Sequence, residues 1–303
     1  MNGGTSQATG NELLNQAKQA WDGFNFDYAW QVSWRNIPEI QRSTRPFPQD
    51  ATLQSLIDGS LTGAFPQDRM QLTGAALLCG DLRHERELFR DRYKTIRFAK
   101  VHGYDLSPAN LEAIQGLDFQ VETHAVDCNN LVLERDSLHF MVGHHGIHHV
   151  YNVGNLFFQC NQALRDGGVM YVEEYIGPRF LQIPASNYWI SRFLLTFLFS
   201  RRERTNHEGT LKGKWIYYPP GTLDPSEACN SEIIEREMLH YFEPLHILRF
   251  GGLCYPVFEG LGLNFPKSSW RFKFVIYLER ALQHLGIVKP LFLQAVLRKK
   301  KVW

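Results

Sequence analysis

Four histidines crowd into six residues of this chain: His144, His145, His148 and His149. Imidazole titrates near neutral pH, so it can take a proton, give one, or bind a metal. Two adjacent carboxylates follow at Glu173 and Glu174, and two more acids, Asp105 and Asp127, each close an apolar run. The set suits a reaction in which a bound hydroxyl gives up its proton. His145 and His148 are the candidate bases, with Glu174 as the candidate for orienting the acceptor. The histidine spacing also places imidazoles in pairs on one helix face, as metal ligands can be. No carboxylate motif accompanies them, and no metal is expected. Two of the four are expected to cap the following helix or bond backbone. Glu173 and Glu174 alternate along a strand, so one of them faces away from the site.

Such groups act together only if the fold brings them together. Ala75 to Cys79 is a short apolar run, followed by Gly80-Asp81-Leu82-Arg83 and a helical segment over 85–93, the pattern of a buried strand feeding a turn and a helix. The strand Ala99 to Tyr104 ends at Asp105. Leu106-Ser107-Pro108 then opens a helix, with Ser107 as N-cap and Pro108 at the first helical position, where its missing N–H costs nothing. A third strand, Phe119 to Ala125, ends at Asp127-Cys128-Asn129. A fourth, Asp136 to Val142, ends at Gly143-His144-His145. A fifth, Gly168 to Glu174, follows a helix that stops at Arg165-Asp166-Gly167-Gly168, where paired glycines supply a C-cap. Each strand carries its polar residues at its carboxyl end, outside which open α/β sheets bind ligands. A carboxylate at the second tip can accept from both hydroxyls of a ribose, which makes Asp105 the leading ligand contact, with helix capping as its structural alternative. Asp127 likewise reads as a ligand contact or the cap of a turn.

The phrases Val-His-Gly-Tyr-Asp105-Leu-Ser-Pro, Val-Asp127-Cys-Asn-Asn-Leu, His144-His-Gly-Ile-His-His-Val and Glu173-Glu-Tyr-Ile-Gly-Pro178 follow one another in a telling order. With them the chain resembles a class I S-adenosylmethionine-dependent methyltransferase, from about residue 70 onward. The resemblance implies an α/β fold with a doubly wound, mostly parallel seven-stranded sheet of Rossmann-like type, and S-adenosyl-L-methionine as cofactor. It implies that Asp105 holds the ribose, Asp127 accepts from the adenine amino group, and Cys128 lies beside the adenine. Gly80, Asp81, Leu106 and His144 complete the implied cofactor contacts. The first loop departs from the family, whose Gly-x-Gly-x-Gly turn lets backbone approach the cofactor. Here Leu78 stands at the first glycine, Gly80 at the second and Leu82 at the third. A leucine held at positive φ costs roughly 1–2 kcal/mol, so the loop is expected to be reshaped or the cofactor to sit differently.

Residues 1–70 read as an N-terminal helical addition, or lid, periodic over Asn11 to Trp21 and Ala51 to Ile57. Between these lie the rings of Trp21, Phe24, Phe26, Tyr28, Trp30 and Trp34, which suit anchoring against a core. Trp34 is also a candidate to lie against a sulfonium by cation–π attraction. Residues 71–303 form the sheet domain, with an insert at about 177–225 that the resemblance makes an acceptor pocket. After it come helix Ser231 to Tyr241, strand Leu245 to Phe250, helix Phe274 to Leu285 and strand Leu291 to Leu297. The resemblance runs this last strand antiparallel, beside the sixth.

Composition bounds the rest. The 303 residues, 44% hydrophobic, suffice for one large core, and a formal net charge of +1 argues against a nucleic-acid partner. Five cysteines, odd in number and widely spaced, indicate neither a zinc knuckle nor a disulfide framework. With a polar start that lacks the regions of a signal peptide, they point to the cytoplasm. Tyr188 to Phe199 is interrupted by Arg192 and too short to span a bilayer, though peripheral membrane contact or an acyl pocket is open to it. Three functions fit: methyl transfer to a hydroxyl of a small glycan, lipid or specialised metabolite; a cyclase or rearrangement catalyst that keeps or lacks the cofactor; or a non-catalytic interaction protein.

Overall fold

The structure, a computed structural model, describes residues 10–22, 33–43, 53–90, 95–205, 209, 211–212, 224–259, 261 and 269–301. Phe24, Phe26, Tyr28 and Trp30 lie outside the described residues, as do Tyr93, Ala51 and the loop 217–221. The N-terminal helices are α1 (Gly10–Asp22), a 3-10 turn at Trp34–Asn36, α2 (Pro38–Ser43) and α3 (Leu53–Ala64). The sheet domain then runs β1 (Leu72–Leu77), α4 (Arg86–Phe89), β2 (Phe98–Asp105), α5 (Pro108–Glu112), β3 (Gln120–Ala125), β4 (Leu138–His144), α6 (Val153–Ala163) and β5 (Leu164–Tyr175). It continues through α7 (Ala185–Leu198), α8 (Ile234–Tyr241), β6 (Phe242–Phe250), α9 (Cys254–Phe258), α10 (Trp270–His284) and β7 (Phe292–Lys299).

The seven strands form one sheet in the order β3-β2-β1-β4-β5-β7-β6. β1 to β5 are parallel, and β7 runs antiparallel between β5 and β6. Both faces of the central strands are buried, as period-2 side chains of a doubly covered sheet must be. Ala75, Leu77, Met141, Met170 and Val172 face α6 and α8, while Ala76, Phe140, Val142, Val169 and Tyr171 face Ile57 and Leu61 of α3. A third cluster joins Trp34, Ile37 and Ile40 to Tyr175, α7, α9 and α10, so the N-terminal addition packs onto the β7 end.

The strand boundaries differ from expectation mainly in β5, which starts at Leu164. The paired glycines bend its first residues, with Gly167 at φ 84°, and the β4–β5 register shifts there. The insert holds a 14-residue helix, α7. A short helix, α9, gave no local signal because its capping partner is distant: Glu279 of α10 accepts from the N–H groups of Gly251, Leu253 and Cys254 at 2.7–2.8 Å. Ser107 does cap α5, accepting from the Asn110 N–H at 3.2 Å.

Candidate active site

The strand order reverses between β1 and β4, and there the chains leaving the two strands diverge and open a crevice. A cavity of about 890 Å³ fills it. Its lining includes Gly80, Asp81, Asp105, Leu106, Asp127, Cys128, His144, His145 and His148, so the strand tips converge as their polar endings suggested. Glu174 is fully buried behind His148 and is absent from the lining.

The loop after β1 keeps the left-handed turn at all three expected positions, with φ of 50° at Leu78, 51° at Gly80 and 61° at Leu82. The strain is accepted rather than relieved by reshaping, and Leu82 contributes a fully buried side chain that offsets it. Gly146, past β4, allows the two loops to meet: a Cβ there would stand 2.4 Å from the Cβ of Leu78. The Gly80 N–H donates to Asp105 Oδ2 at 2.8 Å and the Ser107 N–H to Oδ1 at 2.9 Å, which fixes the carboxylate at the cavity. Burial raises the Asp105 pKa, against the pull of these bonds. Ser107 in turn donates to Asp22 at the end of α1, at 2.5 Å.

Asp127 takes the capping role and stands in the cavity lining. Its Oδ1 accepts from the Asn129 N–H at 2.9 Å and caps a 3-10 turn, yet the residue lines the cavity. Cys128 is buried and burial pushes its thiol up to about 12, so it is a neutral packing group and no nucleophile. Asp81 is held by Arg83, whose Nη2 lies 2.6 Å from Oδ2.

Between these groups and the histidines sits Glu85, unremarked in the sequence. It is buried at the cavity wall, its Oε2 has no hydrogen-bond partner, and burial pushes its pKa up to about 8. His144 lies 3.7 Å from its Oε1. Arg35, delivered by the N-terminal addition, pairs with Glu173 and donates to Nε2 of His145. Burial and then the Arg35 charge hold His145 well below its ordinary pKa. Its accepting nitrogen is therefore occupied. Glu173 also accepts from the Tyr171 hydroxyl and from Gln294, at 2.5 and 3.1 Å.

The other two histidines form a separate corner. Glu174 Oε1 lies 2.5 Å from His148 Nδ1, and the same carboxylate accepts from the Ile147 and Tyr175 N–H groups, both at 2.7 Å. Nε2 of His148 faces Glu227 at 3.4 Å. Burial alone would lower the His148 pKa, but Glu174 and Glu227 outweigh it and push it up to about 10. Nδ1 of His149 lies 3.1 Å from the Ser226 hydroxyl and 3.2 Å from Asp224, and its Nε2 lies 3.9 Å from Glu227. Trp21 of α1 closes over this corner, edge-on to His149 at 5.0 Å and donating to Asp224 at 3.0 Å. Trp34 is buried against Phe250, Tyr255 and Phe292, the anchoring role, with part of it reaching the cavity wall.

Residues 79–172 match the family model described as a methyltransferase domain. No curated protein matches the chain. Among solved structures, an S-adenosylmethionine-dependent methyltransferase from Mesorhizobium loti is similar at 18% identity, over 80% of this chain and 100% of its own, with a TM-score of 0.38. A geranyl diphosphate C-methyltransferase from Streptomyces coelicolor A3(2) is similar at 13% identity, over 97% of this chain and 100% of its own, with a TM-score of 0.49.

Proposed function

We propose that this chain, which carries a methyltransferase domain of the S-adenosylmethionine-dependent class, methylates a hydroxyl of a small, largely uncharged acceptor such as a glycan, lipid or specialised metabolite. The observation that carries the reading is the convergence of Asp105, Asp127 and the left-handed loop on one cavity, beside a corner equipped to handle a proton. The residues fit the cofactor: Asp105 sets a fixed carboxylate in the cavity lining where ribose hydroxyls would bind, and the unpartnered buried oxygen of Glu85 suits an ammonium. Asp127 and Cys128 would hold the adenine, with Gly80, Asp81, Leu106 and His144 around them.

S-adenosylmethionine supplies, when bound, a methyl group on an electrophilic sulfonium. The protein's part is to position the acceptor oxygen and remove its proton. The proton-accepting group there is Glu227, the carboxylate that His148, held cationic by Glu174 and Glu227, orients at the cavity. With Glu174 fixing Nδ1, the nitrogen His148 turns to the cavity is Nε2, which it shares with Glu227. Glu174 thus acts through His148, and His145 serves to hold Arg35. The rings of Trp21, Trp34, Tyr255 and Phe292 in the lining support an apolar acceptor. All five cysteines are buried and unbridged, which supports a cytoplasmic setting. Among the described residues no helix is long and apolar enough to cross a membrane. The exposed rings Trp189, Phe193 and Phe197 of α7 support peripheral membrane contact.

Calorimetric titration with S-adenosylmethionine and S-adenosylhomocysteine tests the reading. Micromolar binding of both, lost in Asp105→Ala, is expected; binding of neither would overturn it.

A further inference from the structure

Among the described residues, three clusters of histidines and acids lie close enough to share an ion, and one of these three is arranged to do so. His102, Glu122 and His124 sit on the outer β2–β3 strands, where Glu122 is paired with Lys100 and the two imidazoles bond each other at 3.0 Å. His144, His145 and Glu173 already receive a cation from the protein itself, Arg35. In the third cluster, one ring nitrogen each of His148 and His149 and a carboxylate oxygen of Glu227 lie within 4.8 Å of one another, and Nε2 of His148 and of His149 face Oε1 and Oε2 of Glu227 at 3.4 and 3.9 Å.

The decisive feature is behind the ligand atoms. Metal-binding imidazoles usually direct their second nitrogen to a carboxylate, which fixes the tautomer and raises the basicity of the first. Both histidines here do so: Nδ1 of His148 is held by Glu174, and Nδ1 of His149 by Asp224 and Ser226. Those carboxylates are themselves pinned, Glu174 by the Ile147 and Tyr175 N–H groups and Asp224 by the Ser226 N–H at 2.8 Å. The two remaining nitrogens converge on Glu227, which is the carboxylate the histidine run lacked in the sequence.

We propose that His148, His149 and Glu227 form a binding site for a divalent first-row transition ion, with coordination positions open to the cavity. Two imidazoles and one carboxylate suit zinc, manganese or iron rather than calcium or magnesium. Metal–ligand bonds of about 2.0–2.2 Å place neighbouring ligand atoms roughly 3–3.5 Å apart. The 3.4 Å and 3.9 Å separations from Glu227 are close to that, and the partly exposed Glu227 side chain can close the remainder. The ion's position does not depend on the methyl-transfer reading, but its use does. On that reading an acceptor oxygen completes the coordination and is ionised by ligation, and its proton passes to water.

The test is equilibrium dialysis of chelator-treated full-length protein against zinc, with elemental analysis, beside S-adenosylhomocysteine titration of the same samples. Wild type is expected to bind one equivalent at micromolar or tighter affinity, and His149→Ala or Glu227→Gln to weaken it at least 100-fold. Glu174→Gln, which removes only the anchor, is expected to cost 10–100-fold. His102→Ala should leave binding unchanged. Variants that still bind S-adenosylhomocysteine are folded, and the two single variants guard against the failure of either. Substoichiometric binding by wild type, or binding that survives both variants or is lost in His102→Ala, would overturn the site. Loss of the zinc equivalent with nucleoside binding intact would leave the methyltransferase reading standing; the reverse result would separate them the other way.

Discussion

Glu85 offers a prediction that can be worked through from its surroundings. Its carboxyl is buried at the cavity wall, where burial raises its pKa from an ordinary 4.5 to about 8. In the unfolded chain it ionises near its ordinary value. Between those two pH values the folded protein therefore holds a proton that the unfolded chain has released, so stability falls as pH rises. At about 1.4 kcal/mol per unit the gap sets a ceiling of about 5 kcal/mol. Glu85→Gln keeps the size and polarity of the side chain and removes the titration. Urea unfolding of both proteins at steps from pH 5 to pH 8 isolates the effect, because the other titrating groups cancel in the difference. The variant should gain on wild type steadily, by several kcal/mol in total, most of it above pH 5. A difference that stays flat across the range would show that the folded carboxyl ionises like an exposed one, and the reasoning would fail. The same proton should also be released when a cationic ligand docks beside it, which heats of binding in buffers of different ionisation enthalpy would detect.

Other perturbations have expected results. His148→Ala should cut turnover by 10-fold or more, because it removes the cation that orients the Glu227 carboxylate, while S-adenosylmethionine affinity in calorimetry stays within a few-fold. Arg35→Ala leaves Glu173 buried without its cation and should cost about 3–5 kcal/mol in chemical denaturation. Leu82→Gly relieves a strained φ but empties a fully buried position, so it should destabilise by more than 2 kcal/mol, whereas the half-buried Leu78 replaced by glycine should change stability by less than half as much, as thermal unfolding would read.

Much of the frame was legible because its signals are local. Short apolar runs mark the strands, Ser107-Pro108 marks the start of α5, and acids at the strand tips lie in the cavity lining. The left-handed turn was also anticipated, although its leucines keep the geometry instead of reshaping it. What escaped is what acts at a distance. Arg35 meets His145 across 110 positions, and Glu227 meets His148 from the far side of the insert. Asp224-Pro225-Ser226 is readable as an Asx-type turn, but nothing in it announces His149 as the partner. Glu85 sat inside a segment read only as helix, and its burial depends on the loop and β4 closing over it. The alternation of Glu173 and Glu174 does not by itself reveal what each carboxylate meets. Both are buried, one serving Arg35 and the other His148, because the N-terminal addition covers a face that would otherwise meet water.

A crystal structure with S-adenosylhomocysteine bound is the most direct measurement. The expected result has the ribose hydroxyls on Asp105, the adenine against Asp127 and Cys128, the amino group at Glu85, and the sulfur turned toward the His148 corner. A nucleoside found elsewhere, or in this cavity with its ribose away from Asp105, would contradict it.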